Sequence, residues 1–166
     1  MKYSEVRGRI KSGDLIAFSH GDFSSWKEFK TLMVRVFTRS TYSHVAVAHV
    51  IAGRVCIFEN VVPYTRLYPL SLSGDFYHLP MNAPWKPQTE QFAWDHLGVA
   101  YSQVKAMLAF SRPLAKGDLS ECAAYAREIL LTDGIDLGLL SRPDAVVQAA
   151  LDRGVAMTFV ENGGNK

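Results

Sequence analysis

The sequence lacks the features that mark several classes of protein. It has only two cysteines, Cys56 and Cys122, too few for the disulfide framework of a small secreted domain, so free thiols in a reducing compartment are expected. No run of Lys or Arg is present and the formal net charge is only +2, which argues against a nucleic-acid partner. The longest stretch without a charged residue, 40–53, is too short to cross a bilayer.

The amino-terminal segment carries no secretory signal. Its residues, MKYSEVRGRIKSGD, mix charges throughout and contain no apolar core, which a signal peptide requires. The sequence therefore predicts a protein without a transmembrane segment that is either cytoplasmic or encoded by a phage and associated with its virion. Lysis or delivery in a virus particle would still bring it outside the cell.

The composition is that of one globular domain. The chain has 166 residues, of which 48% are hydrophobic and 20% charged, a balance that can fill one hydrophobic core. No internal repeat is visible. We expect a single domain spanning residues 1–166.

Strands come first along the chain and helices later. The patterns predict strands over 14–19, 43–51, 54–61, 64–70, 75–79 and 155–160, and helices over 4–11, 25–38, 88–97, 101–110, 118–132 and 143–152. Segregation of this kind is typical of an α+β domain with an antiparallel sheet packed against helices.

The strands at 43–51 and 54–61 are predicted to form a hairpin about Ala52-Gly53. In that register Ile51 pairs with Arg54 and Ala46 faces Glu59, so that Glu59 becomes the diagonal neighbour of His44 on one face of the sheet. A carboxylate beside one ring nitrogen orients an imidazole and leaves the other nitrogen for a nucleophile. His44 and Glu59 therefore form a candidate base and its orienting partner, provided that the turn has two residues.

The same register creates a rival pair on the opposite face, where Cys56 faces His49. Both residues are interpreted as structural, because cysteine is commonly buried. Nothing in the middle of a strand lowers the pKa of a thiol.

Cys122 is the better candidate nucleophile because it lies at the start of a helical pattern, in GDLSECAAYAREIL. Asp118 or Ser120 can cap that helix. A thiol in the first turn faces unpaired backbone N–H groups and the positive end of the helix dipole, which favour the reactive thiolate. A small buried cysteine is the alternative interpretation, and only His44 and Glu59 upstream favour catalysis over it.

These residues resemble a known family. The order GD-L-I (13–16), YSHVAVAH (42–49), FEN (58–60), G-x-x-Y (98–101) and EC (121–122) is similar to the circularly permuted NlpC-type papain-like proteins, including the YiiX-like bacterial amidases and, more distantly, the lecithin–retinol acyltransferase relatives. The resemblance covers residues 13–154 and implies a permuted papain-like fold. Ala123 departs from it, since YiiX-like members often have Ser there. Glu59 stands where acyltransferase relatives often have His, which points to the amidase side.

The resemblance implies a role for each matching residue. Cys122 corresponds to the nucleophile, His44 to the base and Glu59 to the orienting residue. Tyr101 corresponds to an oxyanion-site tyrosine, although a packing role is an equal alternative, and the backbone N–H of Cys122 would be the other oxyanion donor. Candidate substrate-binding residues are Tyr42, Ser43 and His20, the last in a loop where a solvated histidine is the simpler interpretation.

The expected function is therefore a cysteine amidase or peptidase that works through a thioester, without a cofactor, on a peptidoglycan peptide amide or on a lipid-linked amide or ester. A non-catalytic binding module on the same fold, associated with a virion or a cell wall, is the alternative. A metal site is a third hypothesis, with Cys122, His44, His49 and His78 as the candidate ligands. The spacing of these residues does not favour it, because they follow no CxxC or HExxH pattern.

Overall fold

The computed structural model describes residues 1–19, 41–61, 63–100, 121–138 and 142–163. Its helices are α1 (Tyr3–Val6), α2 (Pro87–Asp95), α3 (Glu121–Thr132) and α4 (Pro143–Asp152), with short 3₁₀ turns at Arg7–Arg9 and Leu70–Leu72. Its strands are β1 (Leu15–Ser19), β2 (Tyr42–Ile51), β3 (Arg54–Asn60), β4 (Thr65–Pro69), β5 (Phe76–Leu79) and β6 (Thr158–Val160). No helix within these ranges is long and apolar enough to span a membrane.

The six strands form one sheet in the order β4-β3-β2-β1-β5-β6, and each neighbouring pair is antiparallel. The central strands β1 and β2 are buried along most of their length, because helices or 3₁₀ turns cover each face of the sheet. This is the α+β class that the sequence predicts.

The β2–β3 hairpin has the predicted register. Ile51 pairs with Arg54 and His49 with Cys56, so the turn has two residues. Ala52 and Gly53 both have positive φ, 48° and 74°, which matches the twist of the flanking strands. Alternation along β3 therefore places Glu59 on the face of Ala46 and Ala48.

Each face of the sheet carries its own core. Val45, Val47 and Phe58 pack against α3 and α4, through Ala126, Ile129, Val147 and other apolar side chains. Ala46, Ala48 and Ile57 face the opposite way and pack against Val6 and Ile10, which lie in and just after the amino-terminal helical segment. We call these the helix face and the amino-terminal face.

A β-bulge interrupts the pairing of β1 and β2. Phe18 pairs with His44 and Ser19 with Tyr42, which leaves Ser43 as an extra residue. Tyr42 consequently packs with the helix-face core, whereas the ring of His44 stacks on Phe18, 5.7 Å away, on the amino-terminal face.

Within the described residues, two predicted elements differ from the structure by three or more residues at one end. The predicted helix over 4–11 is too long, since α1 ends at Val6. Gly8 follows in the 3₁₀ turn, and glycine in the interior of an α-helix is destabilising. The strand predicted over 155–160 begins only at Thr158, because the Val155 N–H is engaged with the carbonyl of Ala150 at the end of α4. The predicted helices at 25–38 and 101–110 lie outside the described residues.

Candidate active site

His44 and Glu59 are in direct contact inside the sheet. His44 Nε2 lies 2.8 Å from Glu59 Oε2, and the two residues are 0% and 2% exposed. A buried carboxylate requires a polar partner, and the imidazole provides one. The contact fixes the ring orientation and leaves Nδ1 as the nitrogen available to a nucleophile.

A second cation holds the other oxygen of Glu59. Arg66 Nε donates to Glu59 Oε1 at 2.7 Å, because β3 and β4 place these two residues directly opposite each other. The guanidinium also lies over the ring of Tyr68, 4.3 Å from its centroid. Sequence reasoning missed Arg66, since no turn motif fixes the register of β4; strand alternation from a known register would have found it.

Cys122 affects the ionisation of His44. It follows Glu121, where the described part of α3 begins, and is 2% exposed. Burial of the imidazole lowers the pKa of His44. The charge of the Cys122 thiolate and a hydrogen bond to Cys122 raise that pKa, and Glu59 raises it further in the same two ways. Together these interactions outweigh burial, and the pKa of His44 rises from 6.5 to about 9. At neutral pH the imidazole is therefore protonated, and its charge stabilises a thiolate beside it.

The two partners come from different sides of the sheet. His44 and Glu59 lie on the amino-terminal face, whereas Ala126 and Ile129 of α3 pack on the helix face. His44 is the third residue of β2, directly after the bulge. His44 therefore lies near the end of the sheet, where β2 begins.

Two of the remaining predicted site residues, Tyr42 and Ser43, lie at the bulge beside His44. The Ser43 hydroxyl donates to the Phe18 carbonyl at 3.2 Å and so holds the bulge. The ring of Tyr42 packs edge-on against Tyr77, with centroids 5.3 Å apart. His20 and Tyr101 lie outside the described residues.

Of the rival pair, His49 packs among aromatic side chains of the helix-face core, whereas Cys56 is half-buried. His49 is 4% exposed, its ring centroid lies 5.0 Å from that of Trp85, and its Nδ1 lies 3.2 Å from Ser12 Oγ. Burial lowers the pKa of His49, with Glu90 opposing that shift. Burial raises the pKa of the Cys56 thiol against the opposing charge of Arg54. These directions disfavour a thiolate–imidazolium pair and agree with a structural role.

The candidate metal ligands do not gather into one site. His78 Nε2 is bonded to Asp14 Oδ2 at 2.8 Å, away from His44. Within the ranges that the structure describes, no group of three or more His, Cys, Asp or Glu side chains is placed to hold a metal ion.

Comparison with known proteins supports the fold. No family model matches the chain, and no curated protein matches it either. A solved structure, that of the metalloprotein YiiX from Escherichia coli O157:H7, is similar at 19% identity and a TM-score of 0.51, over 87% of this chain and 81% of that one. At this identity the similarity concerns the fold alone. The metal in that protein's description has no three-ligand counterpart among the described residues here.

Proposed function

We propose that this protein is a cysteine hydrolase, an amidase or peptidase with a papain-like site, in which Cys122 is the nucleophile, His44 the base and Glu59 the orienting residue. One observation carries the proposal: a fully buried imidazole is bonded through Nε2 to a carboxylate, and the charge of the Cys122 thiolate raises the pKa of that imidazole. A structural core histidine needs neither partner in this combination.

The chemistry follows from the charges of the pair. The Cys122 thiolate attacks the substrate carbonyl carbon, and the carbonyl electrons move to oxygen to give a tetrahedral oxyanion. When that oxyanion collapses, the bond to the leaving group breaks and His44 gives it a proton, leaving a thioester. His44, now neutral, then takes a proton from water, whose oxygen attacks the thioester; the acid is released and the thiolate returns.

The oxyanion needs hydrogen-bond donors. The sequence predicts Cys122 in the first turn of α3, where backbone N–H groups lack an intrahelical acceptor, so its backbone N–H is the first donor that we propose. The family resemblance assigns a second donor to Tyr101.

The resemblance to the permuted NlpC-type and lecithin–retinol acyltransferase proteins supplies the substrate class. It favours a peptidoglycan peptide amide or a lipid-linked amide or ester, and Glu59 in the third position favours amide hydrolysis over acyl transfer. The enzyme would act in the cytoplasm, or on a wall reached by lysis or with a phage particle.

One observation favours the alternative of a non-catalytic binding module. Cys122 and His44 are 2% and 0% exposed, so the site is closed to solvent. A closed Cys–His pair is nevertheless expected to react when it opens, whereas a binding module has no use for such a pair.

Thiol labelling tests the proposal. Iodoacetamide rates are measured for Cys122 by peptide mass spectrometry in the parent, His44→Ala and Cys56→Ala proteins, with Cys122→Ala as the blank. We expect Cys122 to react at least ~10-fold faster than Cys56 at about pH 6, and His44→Ala to abolish that difference while Cys56→Ala leaves it intact. Equal and slow labelling of both thiols in the parent would favour the binding module.

A further inference from the structure

Asn60 is a buried amide without a partner among the residues that the structure describes. The residue is 0% exposed, and neither its Oδ1 nor its Nδ2 makes a hydrogen bond to them. Buried side-chain polar groups in native proteins nearly always have a partner, because an unsatisfied one is costly. This amide therefore leaves both a donor and an acceptor that the described residues do not pair.

Asn60 is the residue after Glu59, at the end of β3. By alternation it shares the helix face with Phe58, which contacts the α3 core. Its cross-strand partner is Thr65, whose Oγ1 accepts from the Val99 N–H at 3.1 Å.

Val99 in turn packs against Ala124, two residues after Cys122. Asn60 is thus linked, through Thr65 and Val99, to the part of α3 that carries Cys122. His44 and Glu59 occupy one face of the sheet here, and Asn60 occupies the other.

We infer that Asn60 is a substrate-binding residue of this site and that it selects an amide: Nδ2 donates to the substrate's carbonyl oxygen, and Oδ1 accepts from its N–H. The inference rests on the proposed function and narrows its substrate class from amide or ester to amide. An ester offers a carbonyl but no N–H, so it leaves Oδ1 unpaired. Sites built to pair a polar group reject analogues that lack it.

Burial of Asn60 is consistent with this role. Its exposed fraction is the same as that of His44 and close to the 2% of Cys122. A purely structural amide would instead be expected to have partners within the protein, as the side-chain amide of Asn162 has in the carbonyls of Leu70 and Ser73.

A matched pair of alkylating reagents tests the inference. Iodoacetamide carries an amide, whereas methyl iodoacetate carries an ester of similar size; with either, the thiolate forms an S–C bond and iodide leaves. The rate ratio of amide to ester reagent is measured at Cys122 in the parent, Asn60→Leu and Asn60→Ala proteins, and Cys56 gives the intrinsic ratio in each sample. Melting temperatures are recorded in parallel.

We expect the ratio at Cys122, relative to Cys56, to fall about fivefold to tenfold in both variants, since a hydrogen bond of ordinary strength is lost. The ester rate stays within about twofold, and Asn60→Leu melts no lower than the parent because no hydrogen bond to a described residue is removed. An unchanged ratio with fast Cys122 labelling would overturn the role of Asn60 alone. Slow labelling of Cys122 by both reagents in the parent would overturn the proposed function itself.

Discussion

Glu59 is central to the candidate site, because it connects His44, the proposed base, to the neighbouring strand β4. One oxygen contacts His44 and the other accepts from Arg66, so that both ends of a carboxylate that is 2% exposed are satisfied. Arg66 is 29% exposed, and a partly solvated ion pair contributes less than a buried one. The contact with His44 is thus the one expected to matter for chemistry.

The protonation of His44 tests this arrangement at the level of single residues. In the parent, the imidazole is expected to titrate near the raised pKa of about 9, so that it is protonated below that pH and loses its proton above it. Cys122→Ala removes the largest of the causes that raise the pKa, and Glu59→Gln removes the charge that assists it. Both variants should move the pKa of His44 downward, by about one unit or more for Cys122→Ala.

NMR of the imidazole nitrogens over the pH range measures this directly. Arg66→Met is the matched control, because it leaves the Glu59 carboxylate in place and should shift the titration of His44 less than Glu59→Gln does. If the pKa of His44 were the same in the parent and in all three variants, neither the thiol nor the carboxylate would affect the imidazole, which would contradict this arrangement.

Among the elements, the β2–β3 hairpin sets the register that pairs His44 with Glu59. Its turn places Ala52 at a φ of 48°, in the left-handed region that residues with a Cβ disfavour. Gly53, at 74°, suits the same region, and a Cβ added there would meet no atom within 4 Å. The energetic effect at both positions therefore comes from the backbone alone.

Opposite substitutions in this turn should have opposite effects. Ala52→Gly is expected to raise the free energy of unfolding and Gly53→Ala to lower it, each by about 1 kcal/mol. Urea denaturation of the two variants and the parent measures both. Changes of the same sign would argue against a turn with two left-handed residues.

Asp133 joins the end of α3 to the start of α2. It is 3% exposed, and its carboxylate accepts from the backbone N–H of Trp85 and Lys86 and from the Thr89 hydroxyl. It therefore satisfies orphan donors at the start of α2.

Removing that carboxylate should destabilise the fold without altering the thiol site. Asp133→Ala is expected to lower the free energy of unfolding by about 2–3 kcal/mol, and Asp133→Asn by less because one acceptor oxygen remains. Thermal or urea unfolding gives the ranking, and Cys122 labelling in the folded protein serves as the functional control. Equal stabilities for Asp133→Ala and the parent would contradict the capping role.

The sequence predicts local elements better than contacts between them. Alternating residues and the Ala-Gly turn were sufficient for the β2–β3 register, and hence for the His44–Glu59 contact, because a two-residue turn leaves one pairing. The bulge at Ser43 was not predictable, since it depends on pairing with β1, a strand distant in sequence. Arg66 and the Asp133 contacts depend likewise on how separate elements dock.

At the scale of the whole molecule, the site exists only when the complete sheet and α3 are assembled. His44 and Glu59 lie on the amino-terminal face, α3 packs on the helix face, and Cys122 is far from both in sequence. The similarity to YiiX, at a TM-score of 0.51, extends over most of the chain and supports this assembly. The similarity concerns the fold and not the chemistry. The proposed chemistry depends on whether Cys122 and His44 form a thiolate–imidazolium pair.

The ionisation of Cys122 in the folded protein tests that pair most directly. The ultraviolet absorbance of thiolate is titrated in the parent and in Cys122→Ala, so that the difference isolates one sulfur even while it is buried. We expect the difference signal to be present already at about pH 6, well below the ordinary thiol value of about 8.5. A difference that appears only above about pH 8 would contradict a thiolate held by the His44 imidazolium, and with it the proposed hydrolase.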